Sequence, residues 1–205
     1  IEVDSLIDKG TKKDEAILKV LRQYIIESAN IRFEGNGYGE DWMKEAKRRG
    51  LSNIQTSPVA MDAYVTKSSL KLFEDMNIFS HREAEARHEI MLETYIKKIQ
   101  IESRVMGDLV INHILPAAMK YQTQLAQNVG ALSEIKLSAD LYSSQIEMIR
   151  SISTDMNVIR AKVAEMIEER KKANKLENAR EKAIAYCDKV KPYFDILRDH
   201  VDRLE

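Results

Sequence analysis

Apolar positions along the C-terminal two-thirds of the chain recur at helical spacing. Leu92, Ile96, Ile99, Ser103, Met106, Val110 and His113 follow one another at 4-3-4-3-4-3 until Pro116, the repeat of a helix that keeps one seam against a partner. With Ser80 and Glu83 at capping-box spacing, this predicts a helix over 81–115, about 52 Å long at 1.5 Å per residue. Ile149, Ile152, Met156, Ile159, Val163 and Met166 repeat as 3-4-3-4-3, in a helix expected to start near Ser138. Leu176, Ala179, Ala183, Tyr186 and Val190 repeat as 3-4-3-4, and Phe194, Leu197, Val201 and Leu204 continue as 3-4-3. Pro192 lies between these two runs and is expected to bend or divide the helix. Consecutive seams of this kind predict a long antiparallel helical bundle or hairpin over 80–205.

Residues 1–79 have a different texture, with short elements and frequent turn signals. Thr11 and Asp14 are placed to cap a helix whose apolar positions are Ile17, Leu18, Leu21, Tyr24 and Ile25. Ile31-Arg32-Phe33 alternates like one short strand, and the loop Gly35–Gly39 follows. A helix over about Glu40–Arg49 opens with acids, closes with bases and stops at Gly50. Ser57-Pro58 opens another helix, and a further one runs from about Thr66 to Asp75. The fold class expected is mainly α: short mixed elements with at most one short strand over 1–79, then a long-helix extension over 80–205.

Composition supports this. Of 205 residues, 32% are charged, and only 7 Gly and 3 Pro interrupt the chain. That suits helices with wide solvated faces. The 32 Lys+Arg against 33 Asp+Glu give a net charge of −1, which argues against a dedicated nucleic-acid binder. Cys187 alone excludes a disulfide framework and fits a reducing cytoplasm. The longest runs without charge, Leu109–Met119 and Tyr121–Ser133, are too short to span a bilayer. The chain begins at Ile1 inside a pattern and ends at Leu204-Glu205 inside a helical periodicity, so a piece of a longer protein is expected.

Candidate chemistry is sparse. His81, Glu85, His88 and Glu89 share one helix face, and Glu85-Ala-Arg-His88 has the spacing of carboxylate-bridged di-iron bundles. Such sites need a second Glu-x-x-His, which the chain lacks, so a solvated face is the plainer reading and a di-metal oxidase fails. His113, on the apolar seam, reads as a buried, hydrogen-bonded histidine, and His200, beside Asp199 and Asp202, as surface. Gly35–Gly39 precedes a helix as phosphate loops do, but Glu40 and Asp41 would repel a phosphate there; a turn seating Tyr38 and Trp42 is simpler. Cys187 has an acidic neighbour, Asp188, which disfavours a thiolate nucleophile. Glu168–Lys172 reads as a solvated face or hairpin tip with i,i+4 pairs. No catalytic, cofactor-binding or metal residue is assigned.

The stretch Ile31–Tyr38, with Trp42, Glu45-Ala46, Arg49–Asn53, Pro58, Ala60 and Asp62–Tyr64 after it, resembles the C-terminal part of type III glutamine synthetase. The resemblance continues at Tyr95–Glu102, Met106–Leu109, His113, Pro116 and Tyr121-Gln122, and near the end at Arg170–Asn174, Tyr186-Cys187, Val190–Pro192 and Phe194-Asp195. It covers nearly the whole chain and is loosest over 130–155. It implies an intact glutamate–ammonia ligase that uses ATP with Mg2+ or Mn2+ in glutamine biosynthesis, and a cytoplasmic dodecamer of two hexameric rings. Within it, 1–79 would end the catalytic domain and 80–205 would form a noncatalytic extension for scaffold and oligomer assembly, with no catalytic residue carried onto any position here. The alternative is a stand-alone helical protein-interaction module, without nucleic-acid or membrane partners.

Overall fold

The computed structural model describes all residues 1–205. Ten α-helices follow in chain order: α1 (Glu2–Asp8), α2 (Lys13–Glu27), α3 (Glu40–Arg48), α4 (Ser57–Met61), α5 (Lys67–Asp75), α6 (His81–Leu109), α7 (Leu115–Glu134), α8 (Ser143–Asn174), α9 (Ala179–Ala185) and α10 (Pro192–Leu204). Short 3-10 turns cover Ala29–Ile31, Asp62–Val65 and Ala139–Tyr142. The chain forms two compact units, Ile1–Gln55 and Thr56–Glu205.

In the first unit, the expected strand at Ile31–Phe33 is absent. Ala29–Ile31 is a 3-10 turn, and the carbonyls a ladder would need are occupied: the Arg49 guanidinium donates to those of Asn30 (3.0 Å) and Arg32. The N-terminal elements are therefore helical rather than mixed. Thr11 does not cap α2, which starts at Lys13 without a side-chain cap. Nor is the apolar face of α2 the one this unit buries. Ala16 and Val20 are buried, while Leu18, Leu21, Tyr24 and Ile25 are about half exposed or more. Helix α3 fits its expectation, with Glu40 and Asp41 in its first turn, Lys47 and Arg48 in its last, and Gly50 at φ +70° beyond it, where a side chain would be strained.

The second unit is built on three rods. Helices α6 and α7 form one uninterrupted rod, because residues Val110–Ile114 make a π turn between them. The helix does not stop at Pro116 but runs 54 residues from His81 to Glu134, about 80 Å of axis. Helix α8 packs antiparallel along α7, and α9–α10 returns along α8 while α9 lies against α6. The expected bundle is present.

Both long-helix prolines follow a π turn. Within an α-helix a proline leaves the carbonyl four residues earlier without a donor, and its ring collides with that carbonyl. The preceding turn is widened in each case: Leu115 N–H donates to the Val110 carbonyl, and Lys191 N–H to the Tyr186 carbonyl at 2.9 Å. Tyr186–Val190 thus joins α9 to α10, and Pro192 does not divide them. The widening adds one residue, so the seam steps from position 113 to Ile114 and Leu115. Leu115 is buried, and His113, expected in the core, is exposed.

The core joins Leu92, Ile96, Ile99 and Val110 of the first rod to Ile159, Val163 and Met166 of α8 and to Ala183, Tyr186, Val190 and Leu197 of the third. Each large aliphatic side chain buried here contributes about 1.5–3 kcal/mol. Gly107 lies opposite Val163 and Met166, where α6 and α8 approach closely. Helix α8 begins at Ser143, preceded by the Ala139–Tyr142 turn, rather than near Ser138.

Candidate functional site

The residues that the sequence offers for metal chemistry do not converge. Glu85 and Glu89 are exposed. His81 turns to Glu74 at 3.3 Å. His88 turns inward, its buried Nε2 3.3 Å from Asp62 Oδ1 without an aligned hydrogen bond. No group of three or more His, Cys, Asp or Glu is placed to hold a metal ion.

What the structure builds instead are polar junctions between helices. Asp62, in the turn after α4, accepts from Arg180 of α9 at 2.9 Å (Nε) and 2.7 Å (NH2). The Arg180 guanidinium, with His88 beside it, holds the Asp62 carboxyl below its usual range. This junction fastens the short N-terminal helices of the unit to both α6 and α9. A second lies between α8 and α10: Asp155, almost fully buried, sits 2.7 Å from His200 Nδ1 and 3.7 Å from Arg203. His200, expected at the surface beside Asp199 and Asp202, faces inward because it is the partner this buried carboxylate requires.

A third junction is an amide–phenol network. The Tyr186 hydroxyl, on a fully buried ring, donates to Asn174 Oδ1 at 2.8 Å, and Gln100 Nε2 donates to the same oxygen at 3.2 Å. Gln122 of α7 donates to the Ile149 carbonyl (3.0 Å) and Ser153 Oγ (2.6 Å) of α8. The Tyr95 hydroxyl is buried without a hydrogen-bond partner; burial and the neighbouring Cys187 thiol push its pKa up.

The Gly35–Gly39 loop is a tight polar turn. Asn36 Oδ1 accepts from Tyr38 N–H (3.0 Å) and the Asn36 carbonyl from Gly39 N–H (3.0 Å). Trp42 packs against Phe33 with ring centroids 4.9 Å apart and planes tilted by 42°, as a packing turn requires, but Tyr38 is fully exposed and seated on nothing. One turn along α3, Glu45 accepts from Arg48 (2.6 Å) and Arg49 (2.6 Å), which hold its pKa down to about 2.

At the hairpin end of α8, Lys171 pairs with Glu168 and Lys172 with Glu169 at i,i+3 rather than i,i+4. Arg170 departs from the solvated-face expectation and is half-buried. A signal for this exists in the sequence: extending the 3-4 seam past Met166 by four lands on Arg170. The Asp62–Arg180 and Asp155–His200 pairs, 118 and 45 residues apart in sequence, have no local spacing that could reveal them.

The structure is thus a helical bundle whose helices are joined by polar side chains at Asp62–Arg180, Asp155–His200 and Asn174–Tyr186. The comparisons with known proteins make this particular. The model of the glutamine synthetase C-terminal domain matches residues 16–133, and the chain belongs to that family. A glutamine synthetase of Bacteroides fragilis (strain YCH46) is 45% identical over 207 residues, covering 99% of this chain and 28% of its own length. One from Butyrivibrio fibrisolvens is 28% identical, covering 96% of this chain and 28% of its own length. A type-3 glutamine synthetase of Dictyostelium discoideum is 36% identical over 124 residues, 60% of this chain and 17% of its own length. The chain therefore spans 28% or less of the length of these relatives.

Proposed function

We propose that this chain serves as the noncatalytic C-terminal part of a glutamine synthetase, the ATP-dependent ligase that joins ammonia to glutamate in glutamine biosynthesis. The observation that carries the reading is the 45% identity that runs through 99% of this chain but through only 28% of its Bacteroides relative. On this reading, 1–79 closes the catalytic domain and 80–205 is an extension for scaffold and assembly. ATP and Mg2+ or Mn2+ belong to residues of the intact enzyme outside this chain. The diverging directions of His81, Glu85, His88 and Glu89 do not fit a divalent metal.

Exposed apolar side chains support assembly: Ile101, Val105 and Leu109, each one turn after the last on α6, are 61%, 51% and 48% exposed. Apolar stripes of this kind mark contact surfaces. The partner proposed is further copies of the same enzyme, in a dodecamer of two hexameric rings, in the cytoplasm; no helix is long and apolar enough to cross a membrane.

The test is glutamate-, ammonia- and ATP-dependent phosphate release, measured side by side on the intact gene product and on the 205-residue chain. Activity only in the intact protein is the expected result. Activity in neither, or in the fragment alone, overturns the reading. Charge reversals on exposed positions of 138–172 are expected to change oligomer mass by light scattering while far-UV circular dichroism stays unchanged; an unchanged mass across several reversals removes α8 from assembly.

A further inference from the structure

A cluster rich in hydrogen-bond donors lies on the seam between α6 and α8. The two helices run antiparallel there. Gln100 pairs with Asn174, and seven residues on, Gly107 faces Val163 and Met166. Arg104 is one turn after Gln100, and Arg170 one turn before Asn174. The register therefore sets the two arginines opposite each other, on the side where the amides already meet.

Neither arginine has a carboxylate partner. The arginine–carboxylate pairs of the chain are made by Arg48, Arg49, Arg180, Arg198 and Arg203. The acids beside them are occupied elsewhere: Asp108, one turn after Arg104, accepts from Asn112 at 2.7 Å, and Glu169, next to Arg170, pairs with Lys172 at 2.6 Å. Arg170 is half-buried on the core-facing line of α8, an unusual place for a guanidinium without an anion. Burial raises the Tyr186 phenol's pKa, and the positive heads of Arg170 and Arg104 oppose that rise, so both act on the same buried hydroxyl.

The amides add donors of the same sense. Asn174 Oδ1 is used twice, by Gln100 and by Tyr186. That leaves the Asn174 NH2 group and the second N–H of Gln100 without an acceptor in this network. Two guanidiniums and the N–H groups of two amides thus lie on one side of the seam, where neither guanidinium has a carboxylate partner.

We infer that Arg104 and Arg170, with the free amide donors of Gln100 and Asn174, form a binding site for one oxyanion at the α6–α8 seam. The chemistry required is a compact group with two or more negative oxygens, which forked guanidinium donors match. A phosphate in solution and a carboxylate side chain from a neighbouring polypeptide both offer it, and the test distinguishes them.

The test is isothermal titration of the 205-residue chain at low ionic strength with inorganic phosphate in one arm and acetate in the other. The variants are Arg104→Gln, Arg170→Gln and, as control, Arg160→Gln, an exposed position ten residues earlier on α8. Saturable binding is expected that weakens about tenfold or more in the first two variants, the scale of one lost charge-assisted pair, and is unchanged in the control. Binding of phosphate alone assigns the site to a dissolved phosphate; binding of acetate assigns it to a carboxylate side chain. Should Arg170→Gln fail to fold by circular dichroism, Arg104→Gln, at an exposed position, decides the matter. Absence of saturable binding by either anion, or equal affinity in Arg104→Gln and Arg160→Gln, overturns the inference.

Discussion

Gly107 offers a direct test of the close approach between α6 and α8. Replacing it with alanine changes two quantities that can be separated. In a helix interior, Ala is better than Gly by about 0.8–1.0 kcal/mol. The added Cβ would meet Val163 Cγ1 at 3.7 Å and Met166 Cε at 3.9 Å, ordinary van der Waals contact that removes a little apolar surface from water. Gly107→Ala is therefore expected to stabilise the bundle by about 1 kcal/mol or slightly more, raising Tm by about 2–4 °C for a chain of this size. Gly130→Ala isolates the backbone contribution, because a Cβ there meets nothing within 4 Å. Gly107→Val completes the series: two further methyls exceed the space, and a loss of about 1–3 kcal/mol is expected from overpacking. Thermal and urea unfolding followed by far-UV circular dichroism read all three. If Gly107→Ala lowers the urea midpoint while Gly130→Ala raises it, α6 and α8 pack more tightly than described and the seam assignment fails.

Three further outcomes follow from the junctions. His200→Ala leaves the buried Asp155 with only Arg203 at 3.7 Å and should cost about 3 kcal/mol in urea unfolding, whereas the Asp155→Leu/His200→Leu double variant should recover most of it; equal losses in both would show that the pair carries no buried-charge penalty. Tyr186→Phe should cost about 1 kcal/mol, and combined with Asn174→Ala should cost clearly less than the two single losses together, since both remove the same bond; full additivity argues against the network. Glu45, held at about 2 in the fold against 4.5 when unperturbed, contributes stability that is present above pH 4.5 and lost as pH falls toward 2. Trp42 fluorescence should report acid unfolding of the first unit in that window, with the slope reduced in Glu45→Gln and by added salt; an unchanged slope would mean that Arg48 and Arg49 do not hold the carboxylate in solution.

The three rods are legible in the sequence because a seam of 3-4 spacing records which face is buried, and Leu92, Ile159 and Leu197 all lie in the core where that spacing puts them. The capping box at Ser80 and Glu83 is equally local, and it is formed. The departures have two causes, widened turns before prolines and partners distant in sequence. Counting the seam onward to His113 passes through residues that widen into a π turn, and the apolar pattern around Pro116 and Pro192 does not record what each proline does to the turn before it. The strand at Ile31–Phe33 is lost to Arg49, about twenty residues away, and His200 is drawn inward by Asp155 from another helix. Several residues that carry the family resemblance tie elements of the fold together. Asp62 anchors Arg180, Asn174 collects Gln100 and Tyr186, and Gln122 joins α7 to α8. Arg104 is not among those strings; Arg170 is, and its place on the seam is countable.

The widened turns at Val110–Ile114 and Tyr186–Val190 also bear on how these helices tolerate changes of length. A residue gained or lost inside a regular rod turns every later side chain by about 100° and carries the downstream apolar positions away from their partners. At each wide turn one additional residue is already accommodated, with the chain beyond it in step with the core. These are accordingly two points on the long helices where a single-residue deletion, made together with replacement of the neighbouring proline, returns the turn to α spacing. Such a trade leaves Leu115 and Leu197 facing the same neighbours, so chain length and core register are uncoupled at these two turns.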